Sequence, residues 1–172
     1  MSSEKVISRD NQQERLELEG WIVGFVDGEG CFCIGINRNP TTKLGWQVLP
    51  EFVVTQSEKS LKALKIIQKF FDCGRIFVNR RHDNHKENLW RYCVRSLNDL
   101  QKKVVPFFEK HPLHTSKKES FKNFVKVLKL MNERKHLKLS GIKRIAHISK
   151  RINRQKIPKF LESSETIRRS PV

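Results

Sequence analysis

The stretch "GWIVGFVDGEGCFCIGI", residues 20–36, decides the fold. Leu16, Leu18, Trp21, Ile22, Phe25 and Val26 recur at roughly helical spacing along Gln12 to Val26. Past the junction the pattern alternates, with Phe32, Ile34 and Ile36 on one side of a strand. Between the two lies "DGEG", residues 27–30, which pairs two carboxylates with two glycines. It can be a plain turn, because Asp-Gly is a common turn dipeptide. Two features ask for more. Gly20, Gly24 and Gly28 share one helical face, and each lowers helix stability by roughly 1 kcal/mol relative to Ala. That loss makes sense if another helix must approach closely. Asp27 and Glu29 also sit where the helix ends, at the negative end of its macrodipole. A divalent cation would reverse that unfavourable sign, and hard oxygen ligands suit Mg²⁺ or Ca²⁺.

Outward from the junction, "RNPTTKLG" reads as a loop and "WQVLPEFVVTQ" as a second strand, with Pro50 marking an edge or a bulge. A helix follows in "SEKSLKALKIIQKFF", with Ser57 as its expected N-cap. "CGRIFVNRR" and "NLWRYCVRS" are two more strands around the polar loop "HDNHKEN". "SLNDLQKKVVPFFEKH" is a short helix interrupted or ended near Pro106. "TSKKESFKNFVKVLKLMNERK" and the basic "SGIKRIAHISKRIN" complete the order α, ββ, α, ββ, α, α, α. The expected fold class is α+β: a four-stranded antiparallel sheet of two hairpins, with helices on one face. The expected divisions are a flexible N-terminus at 1–11, a core domain at 12–133 and a basic helical extension at 134–172.

The 172 residues carry a formal net charge of +17. Twelve Lys/Arg against two acids lie between Arg134 and Arg169. Such an excess implies an anionic partner, nucleic acid first and anionic membrane second. No run approaches the ~20 apolar residues of a spanning helix, and "MSSEKVISRDNQQERLELEG" lacks a signal peptide's apolar stretch. A soluble, intracellular protein is therefore expected, in a bacterial cytoplasm or an organelle. Cys31, Cys33, Cys73 and Cys93 form no zinc spacing and read as reduced packing residues.

Strand alternation sorts the sheet into two faces. Phe32/Ile34/Ile36, Ile76/Val78 and Trp90/Tyr92/Val94 form the apolar one. The other carries Cys33, Gly35, Asn37, Gln47, Glu51, Arg75, Phe77, Asn79, Arg81, Arg91, Cys93 and Arg95, with Asn39 just beyond. A basic β-surface with Arg, Asn and Gln at alternate positions can read base edges in a major groove. A merely solvated sheet face is the alternative.

"IVGFVDGEG", residues 22–30, resembles the nine-residue motif of the LAGLIDADG homing endonucleases, and the ββαββα order that follows strengthens the resemblance over roughly residues 15–133. One motif copy implies a homodimer in which two motif helices meet through Gly20, Trp21, Gly24, Asp27 and Gly28. The resemblance implies cleavage of both strands of a long, near-palindromic double-stranded DNA, leaving 3′ overhangs. Glu29 would be the metal-binding carboxylate and the Gly28 carbonyl a second ligand. Gln56 would orient the attacking water, and Lys117 would be the active-site lysine. Asp27 would brace helix ends. Mg²⁺ is the implied cofactor, with Ca²⁺ substituting without supporting cleavage. Lys118, Lys143 and Arg144 join the DNA-binding set. The alternative is an intron RNA maturase, or another non-cleaving nucleic-acid-binding protein of the same fold.

Overall fold

A computed structural model describes residues 9–79, 88–152 and 160–161. Helix α1 (Arg9–Glu29) leads into strand β1 (Gly30–Arg38), then β2 (Trp46–Ser57), α2 (Leu61–Phe71), β3 (Arg75–Asn79) and β4 (Leu89–Val94). The helical run that follows comprises α3 (Leu97–Asp99), a π segment (Leu100–Val104) and α4 (Val105–Lys110). Helices α5 (Lys117–Asn132) and α6 (Leu139–Ile152) come last. All four strands pair antiparallel in the order β1-β2-β4-β3, so the two hairpins are joined through β2 and β4.

The junction is tighter than a turn. Helix α1 continues through Asp27 and Gly28 to Glu29, and β1 starts at the next residue. Gly30 permits this: a Cβ there would lie 2.6 Å from Val26 Cγ1 and 2.8 Å from the Val26 carbonyl oxygen. The helix also starts at Arg9, so the boundary expected after residue 11 falls inside it.

Alternation places the core. Phe32, Ile34 and Ile36 of β1, Val48, Phe52 and Val54 of β2, and Tyr92 and Val94 of β4 are buried under the helices. Phe32 contacts the rings of Phe52, Phe108, Phe121 and Phe124. Pro50 is tolerated because β4 pairs with β2 only from Phe52 onward, so that end of β2 has a neighbour on one side alone.

Three expectations are corrected or sharpened. Ser57 is the last residue of β2 and makes no capping bond, and a 3₁₀ turn (Glu58–Ser60) intervenes before α2. The helix is interrupted near Pro106, as expected, by the π segment that ends two residues before it, and Pro106 itself is accommodated in the first turn of α4. The third concerns α6, which is part of the core rather than an extension. It packs on α5 and β1, burying Ile142, Ile145, Ala146 and Ile152 in the same cluster as the sheet's phenylalanines. Arg81, the loop at 82–87 and the tail past residue 161 lie outside the described residues.

Candidate functional site

Helix α1 carries two faces. Ile22, Val23 and Val26 turn inward. On the other side, a Cβ built on Gly20, Gly24 or Gly28 meets nothing within 4 Å, and Trp21 and Leu16 are exposed. The glycines thus leave a shallow open stripe along the helix, ending at exposed Glu29.

The end of α1 is clamped from the segment before α5. Asp27 accepts from the His114 N–H at 2.6 Å, the Thr115 N–H at 3.2 Å and the Thr115 hydroxyl at 2.6 Å. Burial by itself pushes this carboxyl up, but the Thr115 hydroxyl and the two N–H groups together outweigh it and hold the acid below its ordinary value. Asp27 therefore braces a helix end within its own chain. Lys117 reaches back in the same region, donating to the carbonyls of Val26 at 2.8 Å and Gly28 at 3.1 Å. The Gly28 oxygen expected to face a cation here accepts from an ammonium. Gln56 has the parity of Phe52 and Val54, so it leaves the sheet on the helix side. The Gly30–Val54 pair puts it level with the end of α1. Glu29, Gln56 and Lys117 thus come from three distant segments to one end of the molecule.

The opposite sheet face is ordered by register. Thr55, Arg91 and Phe77 form one rank across β2, β4 and β3, and Cys31, Val53, Cys93 and Arg75 the next. Cys33 pairs with Glu51, Gly35 with Leu49 and Asn37 with Gln47. Asn39 stands in the β1–β2 turn, where its amide donates to Gln47 at 2.9 Å. Asn37, Gln47, Arg75, Phe77 and Asn79 are exposed.

A family model described as LAGLIDADG endonuclease matches residues 22–128. The chain belongs to the LAGLIDADG endonuclease family. Over 141 residues it is 30% identical to DNA endonuclease I-CeuI of Chlamydomonas moewusii, covering 80% of this chain and 63% of that one. Probable intron-encoded endonuclease 3 of Neurospora crassa is 32% identical over 140 residues, which are 80% of this chain and 25% of the relative. The chain thus spans about a quarter of the length of that curated relative. Among solved structures, the homing endonuclease I-TnaI is 40% identical at a TM-score of 0.75, covering 87% of this chain and 97% of that one. I-SmaMI bound to uncleaved DNA target in the presence of calcium ions is 31% identical at a TM-score of 0.76, covering 86% and 48%.

Within this LAGLIDADG chain, some expected DNA-facing residues are poorly placed for contact. Cys93 is buried, and burial pushes its thiol up. Donation of its S–H to Cys31 and burial do the same to Cys33, whose sulfur also points at Glu51. Lys143 and Arg144 stand on α6 in the helix layer, away from the open sheet face. Glu51 is spoken for: it accepts from Arg91 Nη2 at 3.0 Å and from Arg95 Nε. The Glu51–Arg95 pair spans 44 residues of sequence, so strand alternation could place both on one face but could not join them.

Proposed function

We propose that two copies of this chain pair through α1 to form a site-specific homing endonuclease. The dimer cuts both strands of a long, near-palindromic double-stranded DNA and leaves 3′ overhangs. The observation that carries this reading is the open glycine stripe of α1 ending at an exposed carboxylate in a chain with a single motif. Gly20, Gly24 and Gly28 offer nothing to a side chain of their own protomer. A second α1 laid across them would approach to backbone distance and bring a second Glu29 to the axis.

The donor set fits a shared cation. No group of three or more His, Cys, Asp or Glu side chains able to hold a metal occurs among the described residues. One Glu29 per protomer is an incomplete site that a second Glu29 and DNA phosphate oxygens would complete with the hard oxygens Mg²⁺ requires. Mg²⁺ held there would supply Lewis-acid polarisation of the scissile phosphate. Glu29 gives the negative charge that binds it. Gln56, level with the same helix end, has the donors and acceptor to hold a water by its amide. Lys117 keeps a positive charge beside the α1 terminus, where negative charge builds up as a phosphate is attacked.

The test is incubation with randomised double-stranded DNA in Mg²⁺ and, separately, in Ca²⁺. Discrete staggered cuts with Mg²⁺ and bound, intact DNA with Ca²⁺ are expected. Glu29→Gln should abolish cutting and spare binding. Binding of folded intron RNA without cutting in Mg²⁺ would favour the maturase alternative instead.

A further inference from the structure

Among the described residues, the open sheet face contains a preorganised ion cluster, and it lies among the residues proposed to contact DNA. Glu51 is a central-strand acid whose side chain keeps 16% of its surface. Arg91 reaches it from the neighbouring strand and Arg95 from just past that strand's end. The two arginines differ in exposure. Arg95 leaves 60% of its side chain in solvent, whereas Arg91 leaves 27% and its Nε is buried without a partner among the described residues. Arg95 also borders a groove of about 730 Å³ lined by Arg75, Phe77 and Cys93 at the β3 side of the face.

A carboxylate on a DNA-facing surface needs a reason, because it repels phosphate. Reading cytosine directly is one such reason. Here, however, both carboxylate oxygens are already engaged by guanidinium groups. Orienting a guanidinium is the other reason. Arg95 gives its Nε–H to Glu51 and also hydrogen-bonds the Cys93 thiol, and the N–H donors left at its exposed end form the outward part of the fork. An end-on pair of N–H donors matches the O6 and N7 acceptors of guanine. Holding a long, flexible side chain in place before binding also reduces the conformational entropy lost on contact.

We propose that Glu51 is a positioning residue that aims Arg95 at a guanine in the major groove, fixing one base pair in each half-site. Arg91 is the buttress beneath, completing the neutralisation of Glu51. The proposal rests on the DNA-binding reading of this face and deepens it by naming where specificity is set.

The experiment selects bound sites from randomised double-stranded DNA in Ca²⁺, for the full chain and for Glu51→Gln, Arg95→Lys and the double variant. Thermal melts establish that each is folded. The full chain should select a guanine at one position per half-site. Arg95→Lys should weaken that preference roughly 10- to 100-fold, and Glu51→Gln should weaken it at the same position with the other positions unchanged. The double variant should lose no more than Arg95→Lys alone. If Glu51→Gln keeps the full chain's profile, lowers affinity equally for every sequence or alters a different position, the positioning role is refuted while the DNA-binding reading stands. A full chain that selects no sequence would overturn both.

Discussion

The Lys117 ammonium donates to the carbonyl oxygen of Gly28 at 3.1 Å, 89 residues away in sequence. A second bond, to Val26 at 2.8 Å, makes it a cation closing the C-terminal end of the motif helix. The last carbonyls of a helix lack intrahelical partners and form the negative end of its dipole. Lys117 therefore stabilises α1 and, under the proposed function, carries charge to the reacting phosphate. Lys117→Met preserves length and removes both effects. Cleavage in Mg²⁺ should fall by about 100-fold or more, while affinity in Ca²⁺ changes little and stability drops by about 1 kcal/mol. Single-turnover cleavage and melts would check this, and a folded Met variant that cuts at the full rate would remove Lys117 from the chemistry.

Asp27 sews the same seam from the other side, and its contribution depends on pH. Its folded value lies below the ordinary 3.8 because the Thr115 hydroxyl and the N–H groups of His114 and Thr115 outweigh the effect of burial. A depressed carboxyl stabilises fully above its unfolded value and loses that contribution as pH falls through the folded one. Asp27→Asn should therefore melt lower than the full chain near neutral pH, with the gap closing below about pH 4. Melting temperatures taken across that range decide it. A gap that is constant with pH would mean that the carboxylate charge is irrelevant.

What the sequence shows and hides follows from how local each feature is. The sheet was legible because Phe32, Ile34 and Ile36 alternate with the small or polar Cys33, Gly35 and Asn37, and period two survives almost any context. The continuation of α1 through Asp27 and Gly28 was not, because it depends on Gly30 abutting Val26, a contact made only once the strand docks. The role of α6 was masked by its Lys and Arg residues, although Ile142, Ile145 and Ala146 already stand at helical spacing. Glu29, Gln56 and Lys117 were picked out through the family resemblance. No local pattern in "TSKKES" distinguishes Lys117 from Lys118, and only the folded chain shows Lys117 at the end of α1 while Lys118 is exposed.

The glycine stripe makes a prediction with opposite signs for folding and assembly. A Cβ at Gly24 meets nothing in the protomer, so Gly24→Ala should raise protomer stability by about 0.5–1 kcal/mol through helix propensity. Under the proposed pairing through α1, Gly24→Leu should instead hold the two helices apart and shift a dimer toward monomer. Sedimentation equilibrium reads the second effect and thermal melts the first. A Leu variant that dimerises as tightly as the full chain would place the interface elsewhere.

Helix α6 provides the remaining test, of where the folding unit ends. Ile142 and Ile145 are fully buried. A Cβ on Gly141 would lie 1.9 Å from the Lys135 carbonyl oxygen, so the 3₁₀ turn at Lys135–Leu137 and the start of α6 lock together. A separable extension would be lost without harm to the rest. An integral layer would take the apolar surface of α5 into water with it. Ile145→Ala should cost about 2–5 kcal/mol, the usual range for emptying a fully buried aliphatic site. Exposed Arg144→Ala should cost less than ~0.5 kcal/mol. Truncation after Lys138 should leave a chain without a cooperative unfolding transition. Urea titrations of all three report the outcome, and a truncated chain that unfolds cooperatively at the full chain's midpoint would return α6 to the status of an appendage.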